Sequence, residues 1–137
     1  MAILLDASAV IAAADAADLN HLAAVAWFRR ADEPLLVGAL SLGEIDVVLQ
    51  RELGPEAILA VVEAIVGGAI RAVSPTEPDL VRTAELLREA AEHRPRLADG
   101  LLVATAERLG VHRVATFDRR PIAIFRPLHV RSLDLEP

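Results

Sequence analysis

The chain has 137 residues, 54% of them apolar, which is the size of one domain with a real core and argues against disorder. With no cysteine, disulfides, thiol catalysis and thiolate zinc sites are excluded. The formal net charge is −6 and all 14 basic residues are Arg, so nucleic acid cannot be held by bulk charge, only locally or through metal ions or a partner.

The first residues set the frame. Ile3-Leu4-Leu5 is a short apolar run of the kind a buried parallel strand shows, and it stops at Asp6. Ala7 to Ala14, Ala-rich and free of Gly and Pro, reads as a helix. Asp6 therefore sits at a strand-to-helix turn. On its own it is explained as an N-cap.

After a polar joint, His21 to Arg30 is helical and Pro34 closes it. Trp27 on this stretch reads as a helix-interface residue, a candidate for a contact between subunits. Leu35-Leu36-Val37 is a second strand. Ser41 is expected to cap the next helix in a capping box with Glu44, the helix running to about Leu53. Gly54-Pro55 punctuates, Glu56 to Val66 is amphipathic, and Gly67-Gly68 stops it. A third strand is expected at Ala69–Val73 and a long helix from Glu77 to about Glu92. Then follow a loop at His93–Arg96, a helix from Leu97 to Leu109 closed by Gly110, and a fourth strand, Arg113–Thr116, ending at Phe117-Asp118. A short fifth strand is expected at Ala123–Phe125 or His129–Ser132. No repeat, low-complexity tract or linker interrupts residues 1–137, so a single domain is expected. No apolar run is long enough to span a bilayer and no basic leader precedes Ile3, so the expected setting is cytoplasmic, with no membrane contact.

Strands alternating with helices imply a four- to five-stranded, mainly parallel sheet in a three-layer α/β/α sandwich. In that architecture the helix after strand two starts at the strands' carboxyl edge. The helix before strand four runs antiparallel to it and starts at the same edge. Asp6 and Asp118 end strands one and four, and Glu44 and Asp99 lie near the starts of those two helices. The four acids converge where open α/β sheets bind ligands.

Carboxylates so placed repel one another unless some take protons or a cation joins them. Mg²⁺ or Mn²⁺ suits an all-oxygen donor set, and such ions can drive phosphodiester hydrolysis. The four histidines have no metal-site spacing and read as structural. Asp99 is the most informative acid. Its helical stripe carries Leu102, Val103 and Ala106, where a carboxylate is costly unless paired or metal-bound. Ser8 and Thr116 offer hydroxyls to orient carboxylates or water, and Arg94, Arg96, Arg119 and Arg120 flank the acids and could hold phosphates.

Leu5-Asp6-Ala7-Ser8-Ala9, Ser41-Leu42-Gly43-Glu44, Leu97–Ala106 and Ala115-Thr116-Phe117-Asp118 resemble, in order and spacing, the motifs of PIN-domain ribonucleases. At this length the chain looks like a VapC-type toxin of a type II toxin–antitoxin pair. The resemblance implies a PIN-like fold and Mg²⁺- or Mn²⁺-dependent cleavage of structured RNA, tRNA or rRNA. By motif position it implies that Asp6, Glu44, Asp99 and Asp118 form the acidic quartet, with Asp6, Asp99 and Asp118 on the metal. It further implies a homodimer and a VapB-type antitoxin, in a complex that can be larger. Gly43 and Gly100 depart from the residues common in the family.

Two other classes stand beside this one. A PIN-like module that has lost turnover would bind RNA or its partner without releasing product. A receiver-like phosphoacceptor would want a Lys at its acidic pocket, and the chain has none.

Overall fold

Strands of three or four residues alternate with helices throughout. The computed structural model describes residues 1–137 and runs β1 (Ile3–Leu5), α1 (Ala7–Ala14), α2 (His21–Arg30), β2 (Leu35–Gly38), α3 (Ala39–Glu52), α4 (Pro55–Val66), β3 (Arg71–Val73), α5 (Glu77–Glu89), α6 (Leu97–Leu109), β4 (Arg113–Ala115), α7 (Arg120–Ala123) and β5 (Asp134–Glu136). A 3-10 turn at Ala91–His93 joins α5 to α6. The five strands form one parallel sheet in the order β3-β2-β1-β4-β5.

Successive strand residues face opposite sides. Leu4, Leu36 and Val114 pack to one side with Leu86, Leu102, Val103 and Phe125 from the α5–α7 region. Ile3, Leu5, Val37 and Ala115 pack to the other with Val10, Trp27, Ile45 and Leu49 from α1–α3, and with the inner side of α4. The expected three-layer α/β/α sandwich is therefore present. Burying about a dozen apolar side chains on each side contributes roughly 1.5–3 kcal/mol for each large one. Residues Asp99 to Ala106 of α6 are all buried, because α5 covers the face that the sheet does not.

The register sets up the site. Leu5 lies opposite both Val37 and Ala115. The residues that follow, Asp6, Gly38 and Thr116, thus leave the sheet side by side at its carboxyl edge.

Three expectations are corrected. α3 starts directly after β2 with Gly38 as N-cap, so Ser41 is its third residue and caps nothing, and no capping box joins it to Glu44. The capping box of the fold lies instead at Thr76 and Asp79: the Asp79 N–H donates to Thr76 Oγ1 (3.2 Å) and the Thr76 N–H donates to Asp79 Oδ2 (3.0 Å). The fifth strand is Asp134–Glu136; residues 120–123 are helical and 129–132 form no strand. Its acidic composition disfavours a strand, but pairing with β4 and the charge contacts of Glu136 override that. Trp27, finally, is packed within its own chain, 5% exposed, with Nε1 donating to Glu136 Oε2 at 2.9 Å, so it offers no subunit contact.

Candidate active site at the carboxyl edge of the sheet

Asp6 is the most firmly held of the acids. It stands at the N-cap position of α1, yet its side chain makes no capping bond. Its Oδ2 instead accepts from Ser8 Oγ at 2.6 Å and from Thr116 Oγ1 at 2.8 Å. Each hydroxyl in turn accepts a main-chain N–H from the turn after β4, Ser8 from Phe117 (3.0 Å) and Thr116 from Asp118 (3.0 Å). A hydroxyl has one proton. Both protons are committed to Asp6, so the 3.1 Å approach of Ser8 Oγ to Thr116 Oγ1 is a contact between acceptors rather than a third bond. The network fixes Asp6, 6% exposed, against the end of β4, and engages only one of its two oxygens.

Asp99 stands in the first turn of α6 and is 3% exposed. Burial pushes its proton affinity up; the Arg96 guanidinium opposes this, and the charges of Asp6 and Asp118 add to it. Glu44, half-buried on α3, is raised for the same reason, with Asp6 and Asp99 as the like charges. Asp118 lies exposed on the turn after β4. The four predicted acids therefore sense one another across the edge, three of them withdrawn from solvent and Asp118 at the rim.

Arg96, the N-cap residue of α6, is the one cation in direct contact with them. Its Nε donates to Asp99 Oδ2 at 2.9 Å, and its Nη2 lies 3.5 Å from both Asp99 Oδ1 and Glu44 Oε2. Sequence spacing marks Arg96 as a flanking residue; that it spans α6 and α3 follows only from the packing of the two helix starts. The other predicted arginines separate. Arg119 donates to the main-chain oxygen of Pro137, while Arg94 and Arg120 line an open cleft next to Arg96. Two of the histidines are tied to the main chain: His21 Nδ1 bonds Ala12 O and His129 Nε2 bonds Val111 O.

The donor set fits a hard divalent cation. It consists of carboxylate and hydroxyl oxygens, with four acids against one guanidinium, and with burial raising the proton affinity of buried Asp99 and half-buried Glu44. No three acidic or histidine side chains are drawn into a closed metal cage, and the guanidinium of Arg96 neutralises Asp99 and Glu44.

The PIN-domain family profile matches residues 3–126. Ribonuclease VapC26 of Mycobacterium tuberculosis (strain ATCC 25618 / H37Rv) is 27% identical over 125 residues, covering 91% of this chain and 93% of its own. Among solved structures, Mycobacterium tuberculosis VapC20, described as a sarcin-ricin loop cleaving toxin, superposes with a TM-score of 0.82 at 23% identity, covering 94% of this chain and 98% of that one. VapBC2 of Rickettsia felis, solved with a fragment of promoter DNA, gives 0.70 at 12% identity over 99% and 98%. FitAcB of Neisseria gonorrhoeae gives 0.69 at 20% identity over 100% and 97%.

Proposed function

The chain belongs to the PIN-domain family, and from that premise we propose that it is a VapC-type, Mg²⁺- or Mn²⁺-dependent endoribonuclease, the toxin of a VapBC-type toxin–antitoxin pair. The observation that carries the reading is the carboxylate edge itself. Asp6 is braced on one oxygen by two hydroxyls, beside buried Asp99 and half-buried Glu44, whose proton affinities are raised by burial although Arg96 pairs with both. The kinship with Ribonuclease VapC26 over nearly the full length of both chains supports it.

In this reading Asp6, Asp99 and Asp118 hold the ion, Glu44 completes the catalytic quartet, and Ser8 and Thr116 orient Asp6. When bound, the ion supplies positive charge at the phosphate and lowers the pKa of a water. The water oxygen forms a bond to phosphorus as the bond from phosphorus to the leaving sugar oxygen breaks. Glu44, the acid of the quartet not assigned to the ion, accepts the proton that the water gives up, and the leaving sugar oxygen takes a proton from solvent. The substrate is structured RNA, tRNA or rRNA, a choice supported by the description of VapC20 as cleaving the sarcin-ricin loop. The partner is a VapB-type antitoxin, the protein itself a cytoplasmic single-domain homodimer; the fold shared with VapBC2 supports the antitoxin. No helix is long and apolar enough to cross a membrane.

The test is incubation of purified protein with total cellular RNA in Mg²⁺, Mn²⁺ or EDTA, beside Asp6→Asn. Discrete fragments that require metal and disappear in the variant are expected. Equal cleavage by the folded variant overturns the site assignment. RNA binding without product in any metal turns the reading to a binding module.

A further inference from the structure

Beside the acidic edge, one cleft brings together Arg94 and Arg120, which pair with no acid, and Arg96, which does. It has a volume of about 420 Å³, the size of a small-ligand site, and lies between the α5–α6 connection and the start of α7. Arg94, Pro95 and Arg96 form one wall and Arg120 the facing one. Of the 14 arginines, Arg51, Arg82, Arg96, Arg108 and Arg113 pair with acids; Arg94 and Arg120 are among the nine that pair with none, and they are the two of those that line this cleft. The only acid lining the cleft is Glu92, which lies 3.5 Å from its neighbour His93.

Arg94 is held in a costly conformation. Its backbone is left-handed, at φ 51° and ψ 58°, and it is the only residue other than glycine with positive φ. For a residue with a Cβ this costs roughly 1–2 kcal/mol, and Gly or Asn is the usual occupant. The turn that caps the 3-10 helix thus carries a long cation at a position where a small residue is more stable. Strain kept at such a point is a pointer to function.

We propose that this cleft is a phosphate subsite for the RNA strand, in which Arg94 and Arg120 grip a backbone phosphate adjacent to the one being cut. The inference rests on the ribonuclease reading above. Arg96 is the wall shared by the two sites: its guanidinium touches Asp99 and Glu44 on one side and borders the cleft on the other. A strand with its scissile phosphate at the acids runs past Arg96 on its way to the cleft. Two exposed arginines with planar donor forks and no internal partner suit that ligand. They also answer how a chain of net charge −6 holds RNA: the contact is local.

The experiment is binding of a short, fluorescently labelled single-stranded RNA in EDTA, so that nothing is cut. Wild type is compared across a salt series with an Arg94→Asn/Arg120→Gln double variant; Asn is chosen because it tolerates the left-handed backbone. Thermal unfolding of both proteins checks that the fold is kept. The variant is expected to bind roughly tenfold or more weakly. Its salt slope is expected to fall by about 0.7, the value for one lost phosphate contact on a single strand. In Mg²⁺ its KM for RNA rises while kcat holds. An equal Kd and slope, with RNA cleavage intact in wild type, overturns the subsite and leaves the nuclease reading standing. A wild-type protein that neither binds nor cuts RNA overturns both.

Discussion

Replacing Thr116 by Val tests the brace under Asp6. The two side chains have the same shape, so the packing of a residue only 1% exposed is kept and the hydroxyl alone is lost. Two hydrogen bonds disappear: the 2.8 Å bond donated to the Asp6 carboxylate and the 3.0 Å bond accepted from the Asp118 N–H. A bond to a charged group is worth about 1.5–3 kcal/mol, and the exposed turn at Asp118 recovers its own loss from water. Ser8 remains as the second donor to Asp6 Oδ2. The net cost is about 2–3 kcal/mol, which at this chain length lowers Tm by roughly 8–12 °C. The assay is thermal unfolding in EDTA, with Thr116→Ser alongside. The serine variant keeps both bonds and loses one methyl, about 1 kcal/mol. RNA cleavage is expected to fall in the Val variant and survive in the Ser variant. Unfolding of Thr116→Val within 2 °C or so of wild type, or a Ser variant less stable than Val, refutes the brace.

Two further outcomes follow from the geometry. Burial raises the folded-state pKa of Asp99 above its unfolded value of 3.8, so the folded protein binds that proton more tightly. Its contribution to stability therefore diminishes as pH climbs from below 3.8 through the raised value. Without metal, Asp99→Asn is expected to raise Tm at pH 7, the gain shrinking towards pH 4; a variant less stable than wild type at pH 7 contradicts this. The glycines on α3 and α6 should respond differently to Ala. A Cβ at Gly43 meets nothing within 4 Å, so Gly43→Ala gains up to about 1 kcal/mol in helix propensity. A Cβ at Gly100 meets Leu87 Cδ2 at 3.2 Å and Thr83 Cγ2 at 3.3 Å, so crowding between α5 and α6 offsets the same gain. Thermal scans showing equal stabilisation by the two substitutions rule out close packing as the reason for Gly100.

What the sequence made legible was whatever depends on chain order and period. The apolar runs at Ile3–Leu5 and Leu35–Val37 and the short segment Arg113–Ala115 between a helix and a turn identify the central strands, and right-handed crossovers alone carry Asp6, Glu44, Asp99 and Asp118 to one edge. What depends on side-chain direction was not legible. Asp6 was open to reading as a helix cap; the structure turns it away from the helix towards two hydroxyls, one of them 110 residues distant. Arg96 was indistinguishable from its neighbours Arg94 and Arg119 until α3 and α6 were set side by side. The Ser41–Glu44 pair matches the capping-box pattern in sequence, but α3 has already begun at Ala39, so the pattern lies inside the helix; the box forms at Thr76 and Asp79, where the helix does start. β5 was hidden because its strand is held by partners on β4 and α2 rather than by its own propensity.

That late strand has a consequence in time. The Thr116 N–H donates to Glu136 O at 2.7 Å, and Glu136 also receives Trp27 and Arg113. Residues 134–136 follow every acid of the edge in the chain, so they are made after all four. Until they are in place, Thr116 lacks the main-chain acceptor that seats it, and the indole of Trp27 lacks its carboxylate partner. A chain without them has every acid of the edge but not the anchorage that holds Asp6 still. A chain ending at Ser132 should reproduce that unfinished state; full thermal stability and RNA cleavage in such a chain would disprove the dependence.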